Sequence, residues 1–340
     1  MLSRRDVIVS FLGLAAAESC RRAPPVPEVP GAIVDSVHEV GHLLRAAPPA
    51  FATTASQTVD VLIVGAGVAG LSAAWRLRGA GVDSLLVTEV EPVIGGTAQS
   101  GSNAAGAFPW GAHYLPAPLS DAGPVSRLLR EFGVITGVDE RGAPTFAEET
   151  LIHEPEERLF YKGRWYEGLY LRAGASAEDL AQLQRFEAAM RDFARARDGK
   201  GRKAFAVPIE AGSDDAEWTQ LDRVSMADWL AQQGFTSPRL LWLVDYACRD
   251  DYGALAAHVS AWAGIWYFCA RQDGDEKNEG FLSWPEGNGR LVAQLAKAVA
   301  PAQVKRDVLI HTVERAGDGW AAHGVDAKTR TPVRVSARQV

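Results

Sequence analysis

The stretch Val59–Leu77, VDVLIVGAGVAGLSAAWRL, followed at Val82–Glu89 by VDSLLVTE, decides how the rest of the chain is read. From Val59 to Val64 every residue but Asp60 is apolar, the pattern of a strand covered on both faces. Gly65, Gly67 and Gly70 then stand at GxGxxG spacing. The first glycine permits a tight turn, the second lets the backbone approach a pyrophosphate, and the third lets helix and strand pack closely. A helix from about Val68 to Gly79 would aim free N–H groups and its positive dipole end at the phosphates. Alone, GxGxxG is weak, and a glycine-rich turn without a ligand is the plain alternative. Here a strand precedes it, a helix follows, and a second strand over Asp83–Thr88 ends at Glu89, 19 residues past Gly70. A carboxylate at that place accepts from ribose hydroxyls. The reading is one βαβ unit that binds a dinucleotide.

Past that unit, Glu91–Thr97 (EPVIGGT) resembles the flavin amine oxidase superfamily, which includes protoporphyrinogen oxidases and phytoene desaturases. The resemblance implies that the Gly95-Gly96 backbone packs beside the pyrophosphate of FAD, a feature a nicotinamide enzyme does not need. The family commonly has arginine after this pair; here it is Thr97, so no guanidinium contact is expected there. Phe108–Tyr114 (FPWGAHY) occupies the place where the family's chain passes the flavin ring. Gly111 and Ala112 would allow close backbone approach, and Trp110, His113 and Tyr114 would face flavin or substrate. Filling a domain interface is the alternative for Trp110 and Tyr114. His113 and Tyr114 are the candidate catalytic residues, and His113 also the candidate covalent attachment point. The expected cofactor set is Gly65, Ala66, Gly67, Ala69, Gly70, Glu89, Gly95, Gly96, Thr97, Trp110, Gly111, Ala112 and His113.

The implied fold is α/β: a Rossmann-like FAD-binding domain with a parallel sheet, plus an inserted α+β substrate domain. The implied reaction is hydride transfer from a C–N or C–C bond of a small organic substrate to flavin N5. An FAD-binding pseudoenzyme or structural flavoprotein is the alternative. In the family, more substrate domain and a glycine-rich helix follow the strand that here ends at Val340, so the family's lysine and aromatic cage have no place on this sequence. A sheet cut at that point is expected to expose an unpaired edge.

Outward from the motif, residues 1–20 read as a twin-arginine export segment. Arg4-Arg5 precedes an uncharged apolar run, Val7–Ala17, too short for a permanent span, which needs roughly 20 residues. The expected location is therefore periplasmic, or membrane-anchored if Cys20 is lipidated, a reading that Glu18 opposes. Residues 21–58 read as a proline-rich linker with a short helix over Ile33–Arg45; 59–120 as the first part of the FAD domain; 121–285 as the substrate domain; and 286–340 as an incomplete second part. Within the middle, aromatics around Lys162-Gly163 predict a hairpin, and Ser176 and Ser225, each with Asp three residues on, predict helix starts. The loop Trp284–Gly289 leads a helix (Leu291–Val299) back to the FAD domain, followed by strands over Gln303–His311, Gly319–Val325 and Val333–Val340.

Other features point to fewer functions. A net charge of -7 excludes an expectation of nucleic acid. Cys248 and Cys269 lie in apolar stretches and read as buried free thiols. His38-Glu39-Val40-Gly41-His42 fits HExxH, the remote reading being a zinc hydrolase, though Gly41 and the proline-flanked setting argue against it. Asp250 and Asp251 read as solvated carboxylates, and Arg191, Arg195 and Arg197 as an exposed helix face. Trp262, Trp266, Tyr267 and Phe268 recur at helical spacing and read as core.

Overall fold

In the computed structural model, which describes residues 37–45, 57–118, 120–152, 157–270, 272–273, 276–277 and 280–340, the apolar run before the glycine turn forms β1 (Gln57–Val64). It leads through α1 (Val68–Gly79) to β2 (Leu85–Thr88). A hairpin of β3 (Ser100–Asn103) and β4 (Gly106–Pro109), then β5 (Tyr114–Pro116), precede α2 (Pro124–Glu131). Pro124 opens that helix, where a missing N–H leaves nothing unsatisfied. Next come β6 (Ile135–Val138), β7 (Pro144–Phe146) and β8 (Leu151–Ile152). The expected hairpin follows as β9 (Arg158–Tyr161) and β10 (Arg164–Glu167). Lys162 and Gly163 both take positive φ, 48° and 79°, so the two-residue turn matches the strand twist.

Besides a one-turn helix at Ala216–Thr219, four longer helices follow: α3 (Ala177–Arg195), α4 (Met226–Gln232), α5 (Pro238–Tyr252) and α6 (Ala261–Cys269). Each begins on a serine whose hydroxyl accepts a first-turn N–H: Ser176, Ser225, Ser237 and Ser260. At Ser176 the capping box is reciprocal, with Asp179 taking the Ser176 N–H at 2.9 Å. At Ser225 the Asp228 carboxylate takes the serine hydroxyl at 2.7 Å. Asp179 also accepts from the Ser237 hydroxyl at 2.6 Å, so one carboxylate ties two helix starts together. The chain ends through β11 (Phe281–Ser283), α7 (Gly289–Ala296), β12 (Val304–Lys305), β13 (Val308–Ala316), β14 (Gly319–Asp326) and β15 (Pro332–Gln339).

Segments from both ends of this region build one six-stranded sheet, ordered β12-β2-β1-β15-β14-β13. The pairs β12/β2, β2/β1 and β1/β15 are parallel, while β15/β14 and β14/β13 are antiparallel. The sheet is thus mixed rather than wholly parallel, because the short turns joining β13, β14 and β15 permit only antiparallel neighbours. The last strand, β15, lies inside the sheet between β1 and β14, so the edges of the open sheet are β12 and β13. Successive residues of β2 serve opposite faces: Leu85 and Val87 join Leu71, Ala74, Val292 and Leu295 under α1 and α7, whereas Leu86 joins Val308, Val333 and Val335 on the other side.

The helices α3–α6 enclose a separate cluster around Phe186, Met226, Leu240, Val244 and Ile265. Trp262, Trp266 and Phe268 pack against it, as their spacing predicts. Cys248 and Cys269 are buried free thiols, and burial pushes Cys248 up to about 11 and Cys269 higher still. Arg191, Arg195 and Arg197 are exposed, and the Arg197 guanidinium donates to the carbonyls of Ala194, Arg195 and Ala196, closing the α3 C-terminus. The helix expected over Ile33–Arg45 is, where described, one turn at His38–Gly41 tightening to a 3-10 turn at His42–Arg45. The export segment with Arg4, Arg5 and Cys20 lies outside the described residues.

Candidate functional site

The site begins where β1 ends. Gly65 takes φ +96°, a conformation that side chains disfavour, and its N–H donates to the Thr88 carbonyl at 2.8 Å. The turn therefore hangs from the end of β2. Gly67 caps α1, so the first-turn N–H groups of Val68, Ala69 and Gly70 point out of the helix end without intrahelical acceptors. Gly70 is fixed by contact: a Cβ there would stand 1.9 Å from the Gly65 carbonyl oxygen and 3.2 Å from Ile63 Cγ2. Only hydrogen fits, which is the reason the sequence pattern anticipates.

Glu89 is buried at the end of β2, with 7% of its surface exposed. Its Oε2 accepts from the Ala66 N–H at 2.7 Å and its Oε1 from the Glu91 N–H at 2.9 Å. Both oxygens keep lone pairs beyond these bonds, so the carboxylate braces the turn and can still accept from hydroxyls. On the strand's other side the Glu89 backbone bridges β12 and β13, through Lys305 O at 2.9 Å and Val308 N at 2.8 Å.

The second glycine pair meets the first. Gly95 N–H donates to the Ala66 carbonyl at 2.8 Å, and Gly67 and Gly95 form a parallel bridge. Gly95 (φ +122°) and Gly96 (φ +56°) are both in positive-φ conformations, and a Cβ on Gly96 would lie 3.4 Å from Gly67 Cα. Thr97 is exposed and passes its carbonyl onward, accepting from the Ala112 N–H at 2.9 Å. A Cβ on Gly111 would fall 2.6 Å from that same oxygen. Backbone contacts thus run without interruption from Gly65 to Ala112, joining the expected positions along one edge.

A contact that sequence reading missed holds this edge from the far side. Asn288 donates from its backbone to Ala112 O at 3.1 Å and from Nδ2 to Tyr114 O at 3.0 Å, while Ser283 Oγ donates to His113 O at 2.6 Å. Gly287 (φ +60°) would place a Cβ 2.6 Å from Pro109 and 2.9 Å from His113 Cα. The Gly-Asn-Gly run at 287–289 was the available signal, and its partners lie some 170 residues earlier. The His113 ring is exposed, with Nδ1 3.2 Å from Gly111 O and its edge against Tyr114, which in turn meets Phe281. Trp110 is 54% exposed and packs edge-on to Phe108.

A cavity of about 690 Å³ lies between the base of the β9–β10 hairpin and α3, α5 and α6, lined by Glu157, Tyr170, Phe186, Met190, Tyr246 and Tyr267 among others. Tyr267, read from its spacing as core, is a cavity wall instead. Burial raises both the Tyr246 and Tyr267 phenols, and Asp250, Glu157 and Tyr114 add to it.

Among the described residues the three-ligand group close enough to hold a cation is Asp198, Asp214 and Asp215, and Arg202 already pairs with two of them. His38 and His42 meet edge to face at 5.5 Å, but no third ligand joins them among the described residues.

The sequence profile of the NAD(P)-binding Rossmann-like domain matches residues 63–132. AofH of Mycobacterium tuberculosis, assigned as a flavin-containing monoamine oxidase, is 28% identical over 272 residues, which are 77% of this chain and 53% of that protein. The chain thus spans about half the length of the curated relatives it matches. Putrescine oxidase with bound putrescine has the same fold over 83% of this chain and 57% of its own, with a TM-score of 0.56 at 19% identity. Cyclohexylamine oxidase from Brevibacterium oxydans superposes over 82% and 56%, with a TM-score of 0.53 at 19% identity.

Proposed function

We propose that this chain, whose fold is that of the flavin amine oxidases, is the FAD-binding part of an oxidoreductase that acts on a small organic molecule. The observation that carries the reading is the cradle at the end of β1. There Gly70 leaves no room for a Cβ, Gly67 abuts the Gly95-Gly96 pair, and the buried Glu89 carboxylate stands beside both. A bare turn has no use for three glycine backbones converging on a helix N-terminus, whereas a pyrophosphate does. Val64 and Val68, 49% and 39% exposed beside the turn, supply apolar surface for a flat ligand.

FAD, when bound, supplies the hydride acceptor at N5. The chain's own residues bind, orient and exclude water. The N–H groups of Val68, Ala69 and Gly70 would face the pyrophosphate, Glu89 would accept from the adenosine ribose, and Gly95 and Gly96 would let the backbone close over the phosphates. Gly111 and Ala112 carry the chain past the ring with no bulk at that point, and His113 and Tyr114 stand next along it. The Tyr246–Tyr267 cavity would hold the substrate, whose C–N or C–C bond would supply the hydride. Export by the twin-arginine route, motivated by Arg4-Arg5 and the apolar run after them, would let the flavin be inserted before translocation.

An absorption spectrum of the purified chain tests the reading. Flavin bands, with FAD released by acid at near one per chain, are expected, and anaerobic bleaching by an amine would separate an oxidase from a structural flavoprotein. A folded, colourless chain that also fails to take up added FAD would overturn it. Flavin that stays with acid-denatured protein would point to covalent attachment, for which His113 is the candidate.

A further inference from the structure

The β9–β10 hairpin carries a feature that the flavin reading does not use. Register pairs Phe160 with Trp165 and Leu159 with Tyr166, so the two couples occupy opposite faces. Leu159 and Tyr166 are half-buried against the chain, whereas Phe160 and Trp165 are 58% and 68% exposed, their rings in contact at 5.1 Å. Tyr161 is 43% exposed at the tip, with the Lys162 ammonium 5.2 Å above its ring. Arg158, Lys162 and Arg164 interleave with these aromatics, and from 158 to 164 there is no acidic residue, in a chain of net charge -7. Acids resume at the base, with Glu157 and Glu167.

We propose that this hairpin is a docking element for an anionic phospholipid bilayer surface. Indole, phenol and phenyl rings settle at the headgroup level, where one end of the ring is wet and the other apolar. Lysine and arginine beside them keep their charge at the phosphates while their stems cover hydrocarbon. Attraction to an anionic surface cannot come from the overall charge of this chain, so it comes from the complementarity of the tip. The two-residue turn makes the tip narrow enough to enter the interface as one unit. Glu157, Glu167 and Tyr170 at its base belong to the rim of the 690 Å³ cavity, so docking would set that rim near the membrane. The inference stands on the hairpin and does not require the flavin reading.

Co-sedimentation of the full chain with phosphatidylglycerol–phosphatidylcholine vesicles, against vesicles of phosphatidylcholine alone, tests it. The parent is expected to prefer the anionic vesicles and to lose that preference in high salt. The double variant Phe160→Ser/Trp165→Ser should partition about tenfold more weakly, with an unchanged melting temperature because both side chains are exposed. Lys162→Gln/Arg164→Gln should lose about tenfold of the anionic preference. Brominated lipid should quench a share of the parent's fluorescence that Trp165→Phe lacks. Equal binding by parent and double variant would place the contact elsewhere, for instance on the apolar run Val7–Ala17, and overturn the proposal. So would a parent that ignores vesicles but self-associates through Phe160 and Trp165 in sedimentation velocity.

Discussion

At the residue scale, the most constrained atom in the site is the absent Cβ of Gly70. Gly70→Ala must push α1 off β1 by more than an ångström, and we expect a loss of about 3 kcal/mol in chemical denaturation together with loss of bound flavin. Glu89→Gln keeps the volume but weakens the acceptor for the Ala66 N–H. Flavin affinity measured by equilibrium dialysis should fall on the order of tenfold. Asp198 gives a pH prediction. Burial alone would raise its carboxyl, but the N–H groups of Arg202 and Lys200, the Ser213 hydroxyl and the Arg202 guanidinium hold it down at about 2. A folded value below the unfolded one means that its contribution is complete above pH of about 4 and is lost as pH falls toward 2. Acid unfolding of Asp198→Asn should therefore show less pH dependence between those values than the parent. Gly65 and Gly70 were legible in the sequence because their reasons are local, a positive φ and a contact between residues five apart, whereas Gly95, Gly96 and Gly111 were reached only through the family resemblance. Asn288 was not, because its partners Ala112 and Tyr114 are brought to it only by the complete fold.

Among the elements, boundaries followed local chemistry wherever a cap or turn announced them. Ser176 and Asp179 start α3 where the sequence predicts, and Lys162-Gly163 turns the hairpin where it predicts. Ser176→Ala should cost about 1 kcal/mol, read as a shifted denaturation midpoint at constant slope. What periodicity could not tell was the use of each helical face. Tyr267 on α6 reads as core, yet it lines the cavity, while Phe268 beside it packs against the core. An apolar side chain facing a protein interior and one facing an apolar hole obey the same pattern. The two thiols on α5 and α6 are a case where the apolar composition around them was enough. Both should resist a thiol reagent in the native protein and react only on unfolding, as their burial and raised values require.

For the whole molecule, the fold class was legible because the βαβ unit and the closing strands each carried their own pattern; the strand order was not. No local signal says that β15 inserts beside β1 rather than at an edge. Deleting residues 332–340 should therefore abolish cooperative unfolding rather than trim a margin, as a calorimetric trace would show. The same arrangement has a consequence in time. The first strand of the sheet meets β2 early but leaves the ribosome 278 residues (Gln57 to Val335) ahead of β15, its other neighbour, and everything that makes α3–α6 is translated in between. A nascent chain therefore exposes the glycine turn long before the sheet beneath it is complete. The sheet beneath the glycine turn is closed only when β15 arrives, so a ligand that needs the whole sheet is met late in translation.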